Sequence, residues 1–160
     1  MKKITILLLF LFPIMLFSQT KLPNVTIKDV ENNSVNVAKD FTEPDKIYVF
    51  SFWATWCVPC INELEAINEV YADWKKELNL EVIAVSVDDS RTQKRVKPLL
   101  NGKGWEYKML LDTNQDFKRA LAIANIPYTI VVKNQKIVHI QNGYNQGAER
   151  ELFTFLKSLK

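Results

Sequence analysis

The chain has 160 residues, of which 48% are hydrophobic, 24% charged and only 2 cysteine, with a formal net charge of +3. That length holds one domain with a real core. Without Lys2 and Lys3 the charge falls to about +1, too weak to argue for a nucleic-acid partner.

The first segment reads as a leader. Met1-Lys2-Lys3 is basic, Ile4 to Phe17 is uncharged and almost wholly apolar, and Ser18 is a small residue before a cleavage point. This is the layout of a secretory signal peptide over residues 1–18, leaving 19–160 as the domain. The apolar run of about 14 residues falls short of the ~20 that a membrane-spanning helix needs, and an uncleaved anchor is the alternative. Leu16 fits the small-residue cleavage rule poorly, so the cut is placed only to within a few residues. No cysteine follows to carry a lipid. Outside the cytosol, a thiol pair is either a structural disulfide or a working one.

Val25-Thr26-Ile27 and Val35-Asn36-Val37 alternate around Glu31 to Ser34, as a short hairpin does. Ile47 to Trp53 is apolar on both faces, which suits a central strand of a covered sheet. A helix is expected from Cys57 to about Leu78, then a second doubly apolar strand from Glu81 to Val87. Ser90 with Gln93 makes a capping-box pattern for a helix that Pro98 should kink or stop. Tyr107 to Leu111 reads as a strand. Asp112-Thr113-Asn114 should cap a helix carrying Phe117, Leu121 and Ile123. Tyr128 to Val132 and Lys136 to Ile140 form a hairpin, and Leu152, Phe155, Leu156 and Leu159 mark a closing amphipathic helix. The order is that of an α/β fold: one mixed central sheet with helices on both faces and an N-terminal β-hairpin.

Both cysteines fall in one tetrapeptide, Cys57-Val58-Pro59-Cys60, where the buried strand gives way to the first long helix. A thiol at a helix start meets unpaired backbone N–H groups and the positive end of the helix dipole, which favour thiolate. At ~100° per residue, Ile61, Leu64, Ile67, Tyr71, Trp74 and Leu78 form an apolar stripe with Cys60 in its middle. Cys60 should therefore be the buried thiol and Cys57 the accessible, attacking one. Glu63 lies roughly 60° from Cys60 on the core-facing flank. A partly desolvated carboxyl there should titrate high and could exchange protons with the thiols; the alternative is a boundary glutamate reaching back to water.

Phe52-Trp53-Ala54-Thr55-Trp56-Cys57-Val58-Pro59-Cys60, with Glu63 three beyond, resembles the thioredoxin superfamily, and more closely the exported TlpA/ResA-like thiol–disulfide oxidoreductases. The resemblance spans nearly all of residues 19–160. It implies a thioredoxin-like fold and a cis Ile126-Pro127 peptide facing the cysteines, with Ile126 offering its backbone to an extended substrate. In that setting Trp56 would shield the sulfurs and offer an apolar contact to substrate; the alternative is a plain core tryptophan. Two positions depart from the pattern. Tyr128 follows the proline where the family usually has Thr, which puts substrate preference in doubt. Ser51 stands where thioredoxins carry a buried acid, and the resemblance gives part of that role to Glu63.

The activity implied is disulfide reduction in exported proteins such as apocytochrome c, in the periplasm or another extracytoplasmic space. Pro59 between the cysteines leans towards reduction, recharged by a membrane-embedded electron donor, and no cofactor is implied. Two other readings remain. A thiol peroxidase of the same fold usually places Thr three residues before its cysteine, whereas Thr55 is two before Cys57. A copper or other metal carrier would need a ligand beyond the thiols, and His139 is the only histidine. Two thiolates and one imidazole do not complete a zinc shell. A purely structural disulfide across so small a loop would stabilise little. Arg91, Lys94, Arg95, Lys97 and Lys103 read as a solvated face, and Trp74 and Trp105 as core.

Overall fold

The computed structural model describes residues 21–160, so the leader reading for residues 1–18 lies outside the described residues. The N-terminal hairpin is β1 (Thr26–Asp29) and β2 (Ser34–Asn36), followed by the short α1 (Val37–Asp40). Then β3 (Ile47–Trp53) leads into α2 (Val58–Glu77), β4 (Leu80–Ser86) into α3 (Val96–Lys103), and β5 (Lys108–Leu111) into α4 (Asp116–Ala120). The chain closes through β6 (Tyr128–Lys133), β7 (Lys136–Asn142) and α5 (Ala148–Ser158). All seven strands join one sheet in the order β2-β1-β5-β4-β3-β6-β7. β3 runs parallel to β4 and β4 to β5, while the other neighbours are antiparallel.

Every residue of β3 is buried, as a run of apolar side chains on both faces requires. On one face Tyr48, Phe50 and Phe52 meet Phe41 and Phe117 in edge-on and tilted ring contacts, which are worth more than area alone. On the other face Trp53 meets Trp105, and Tyr107 reaches α2, its hydroxyl donating to the Leu64 carbonyl at 2.6 Å. α5 joins this second face through the stacked rings of Trp74 and Phe153, 5.1 Å apart. Trp74 and Trp105 are core residues, as expected.

Three expectations need correction. Ser90 and Gln93 do not box a helix start. Asp89 makes the turn instead, its carbonyl accepting from the N–H groups of Thr92 and Gln93 and its carboxylate from Arg91 N–H. A 3₁₀ turn over Gln93–Arg95 then runs into α3. Pro98 neither kinks nor stops α3, because it falls in the first turn, where the N–H it lacks would have no helical partner. The stop is Gly104, at φ 63°. The third correction concerns α4, which covers only Asp116–Ala120, so Leu121 and Ile123 lie beyond it. Asp112 does cap it, accepting from Phe117 N–H at 3.1 Å and Lys118 N–H at 2.8 Å.

Phe117 has no exposed surface and packs against both Phe50 and Phe52. Phe117→Ala should cost about 3–5 kcal/mol, the usual loss for deleting a buried ring. Urea unfolding of the oxidised protein checks this; a loss under about 1 kcal/mol would mean the aromatic face tolerates a cavity.

Candidate active site

β3 ends at Trp53, and Ala54 to Cys57 make a turn closed by Cys57 N–H donating to the Ala54 carbonyl at 3.0 Å. Cys57 is the N-cap residue of α2, no side chain caps that end, and the first turn holds no acidic residue. The positive end of the helix is thus left for the sulfur. Cys57 and Cys60 are joined in a disulfide, with Cα atoms 5.3 Å apart.

Exposure departs from the sequence expectation. Cys57 is the more exposed of the pair, but at 6% against 0% for Cys60 it is buried in this oxidised form. Its sulfur is bonded to Cys60, which lies inside the core stripe of α2. What opens to solvent is the flank: Trp56 at 59% and Val58 at 66%.

Glu63 is not a boundary residue. It is 1% exposed, and three neighbouring strands each send one polar side chain to its carboxyl group. Ser51 of β3 donates to Oε2 at 2.9 Å, while Thr129 of β6 and Gln141 of β7 donate to Oε1 at 3.1 and 3.2 Å. These residues stand in one row across the sheet, since Ser51 pairs with Thr129 and Thr129 with Gln141. Burial raises the Glu63 pKa from 4.5 to about 7, opposed by the Ser51 and Thr129 hydrogen bonds, which favour the charged form. Oε1 already accepts two donors. A proton therefore belongs on Oε2, where the Ser51 hydroxyl can turn from donor to acceptor.

Ile126-Pro127 is cis, as the resemblance implies. Phe52 pairs with Tyr128, which sets Pro127 beside the end of β3, where the cysteine turn departs. Gly143 N–H donates to the Pro127 carbonyl at 2.8 Å. Ile126 packs against the core and is only partly buried. An open groove of about 840 Å³ starts at Pro59 and follows α2 past Asn62 and Glu69 to Tyr144 and Arg150.

Sequence reading missed Thr129 and Gln141 as partners of Glu63. No local signal marked them: the exposed Val138 and Ile140 mask the parity of β7, and the row with Ser51 exists only once β6 pairs with β3. It also passed over Asp88, which is 1% exposed and accepts from both polar groups of Thr55. His139 belongs to the packing of α5, its ring 4.4 Å from that of Phe155, and burial lowers its pKa.

Residues 19–141 match the family model described as the AhpC/TSA family. The chain belongs to that family. Thiol-disulfide oxidoreductase ResA of Bacillus anthracis is 30% identical over 117 residues, which make up 72% of this chain and 64% of that protein. The solution structure of a thioredoxin-like protein from Porphyromonas gingivalis is 45% identical and superposes with a TM-score of 0.76, covering 86% of this chain and 90% of that one. StoA from Bacillus subtilis shares the fold at 18% identity and a TM-score of 0.65, over 82% of this chain and 99% of StoA. This AhpC/TSA member is thus a ResA/TlpA-like protein of the thioredoxin superfamily, with the expected mixed sheet and N-terminal hairpin.

In this ResA-like site the buried acid couples stability to pH. Below about pH 4.5 Glu63 is neutral in folded and unfolded chains alike. From there to about pH 7 only the unfolded chain ionises, so stability falls as pH rises, by up to about 3 kcal/mol once both forms are charged. Glu63→Gln should remove that slope in thermal melts of the oxidised protein between pH 4.5 and 7.5. Parallel curves for variant and parent would mean that Glu63 is charged throughout.

Proposed function

We propose that the chain is an exported thiol–disulfide oxidoreductase that reduces disulfides in other exported proteins. The observation that carries this is the Cys57–Cys60 pair at an uncapped helix start, with the buried acid Glu63 on the next turn. The ResA relatives are named as thiol–disulfide oxidoreductases, which supports this reading.

In the reduced enzyme the Cys57 thiolate attacks one sulfur of a client disulfide. A Cys57–client bond forms, and the client's second sulfur leaves as a thiolate and takes a proton. The Glu63 carboxylate accepts the Cys60 proton, and the Cys60 thiolate then attacks Cys57 Sγ. The client's first sulfur leaves and takes a proton from water, to which Glu63 returns the one it accepted. The client has gained two electrons and two protons, and the pair ends as the disulfide. A Glu63 pKa of about 7 suits this relay, because the acid is partly ionised at neutral pH. Trp56 shields the sulfurs and offers an apolar contact, and the Ile126 backbone beside Pro127 aligns the client as an extended strand.

Residues 1–18 act as the signal peptide and 19–160 as the working domain, in the periplasm or an equivalent extracytoplasmic space. Among the described residues no helix is long and apolar enough to cross a membrane. An exported reductase needs a source of electrons, which we assign to a membrane-embedded dithiol donor. Apocytochrome c is one client class, because its haem-binding thiols must stay reduced. The peroxidase reading has less support, since the Thr55 hydroxyl donates to Asp88 Oδ1.

Cys60→Ser should stall the reaction at Cys57 and accumulate mixed disulfides that dithiothreitol releases; Cys57→Ser should trap none. Equal trapping by both variants would reverse the assignment of roles. The potential of the pair should lie near about −270 mV, the range of thioredoxin. A value near about −120 mV would make the protein an oxidant instead.

A further inference from the structure

The turn that carries the dithiol is held from the neighbouring strand. β3 and β4 run parallel with Trp53 beside Ser86, so Thr55 and Asp88, each two residues further on, meet where the chains leave the sheet. Val87 N–H donates to the Trp53 carbonyl at 2.8 Å and continues the pairing. Both polar groups of Thr55 then end on one carboxylate. Its N–H donates to Asp88 Oδ2 at 2.8 Å and its hydroxyl to Oδ1 at 2.6 Å. Ser86 adds a third donor to Oδ2 at 2.9 Å and accepts from Asp88 N–H at 3.1 Å.

A carboxylate that is 1% exposed loses its hydration, and among the described residues no ion pair includes it. Only hydrogen bonds offset that cost. An asparagine would be cheaper to bury, but it offers one acceptor atom and would turn an N–H₂ towards a donor. Both carboxylate oxygens are needed because three donors converge on them. The residues that follow Thr55 are the exposed Trp56 and then Cys57, which must lie within bonding reach of Cys60.

We propose that Asp88 is a positioning residue for the dithiol: through Thr55 it clamps the Ala54–Cys57 turn, and so holds Cys57 Sγ against Cys60 and fixes Trp56 at the client face. This rests on the reading of Cys57–Cys60 as the redox pair. A clamp of this kind raises the effective concentration of one sulfur at the other, so its loss should disfavour ring closure.

The test compares Asp88→Asn, Thr55→Val and Thr55→Ser with the parent, each confirmed folded by circular dichroism. The equilibrium constant for closing Cys57–Cys60 against glutathione should fall roughly tenfold in Asp88→Asn and in Thr55→Val, making the pair less reducing. Thr55→Ser, which keeps the hydroxyl, should restore it to within about twofold. A merely structural role would lower the melting temperature and leave this constant alone. Unchanged constants in Asp88→Asn and Thr55→Val overturn the clamp; if Asp88→Asn does not fold, equal constants for Thr55→Val and Thr55→Ser overturn it. Insulin reduction by the parent is assayed alongside. A parent that fails to reduce insulin while the constants shift as stated counts against the reductase reading and supports the clamp.

Discussion

The parallel pairing of β3 with β4 decides where chemistry can occur in this molecule. Two adjacent strands that point the same way end at the same edge, and there the chain must turn out of the sheet twice, side by side. One exit carries Thr55, Trp56 and the start of α2; the other carries Asp88. The backbone groups released at that edge have lost their sheet partners, so side chains and a helix start take them up. A sulfur placed there gains the helix dipole, and a carboxylate placed there gains donors.

Glu63 and Asp88 are both carboxyl groups sealed from water, and their surroundings differ in kind. Asp88 has three donors that converge on it from one turn and one strand end, an arrangement matched to a charged acceptor. Two of the three donors to Glu63 are hydroxyls, which can reverse direction and accept. The pocket around Glu63 therefore satisfies both protonation states, which a group that takes and returns a proton requires. Desolvation brings its titration to about neutral pH, and the hydroxyl bonds keep it from rising further. One acid holds a shape and the other can hold a proton.

The oxidised form also shows how access is divided. In the disulfide form Cys57 lies buried beside the core stripe of α2, while Trp56, Val58 and the groove beside Pro59 stand at the surface. Trp56 and Val58 thus form an exposed apolar rim above the two buried sulfurs.

Local pattern was enough for the strands around the site, for α2 with Cys60 on its inner stripe, and for the redox pair, because periodicity and spacing are properties of neighbouring residues. Ser51 stood out as the one polar residue in β3, and Glu63 as the one acid on an apolar flank. Their meeting was not legible, nor was the part of Thr129 and Gln141, because β3 lies far in sequence from the β6–β7 hairpin and the row that joins them exists only once the register is set. Pro98 was misread for a similar reason: a proline breaks a helix interior but suits a first turn, and the start at Val96 depended on Asp89 turning the chain earlier. The residues of the dithiol are thus set by the order of the chain, whereas the protonation of Glu63 and the anchoring of the turn by Asp88 are set by tertiary structure, since desolvation and convergent hydrogen bonds arise only when distant segments close over the same carboxyl group.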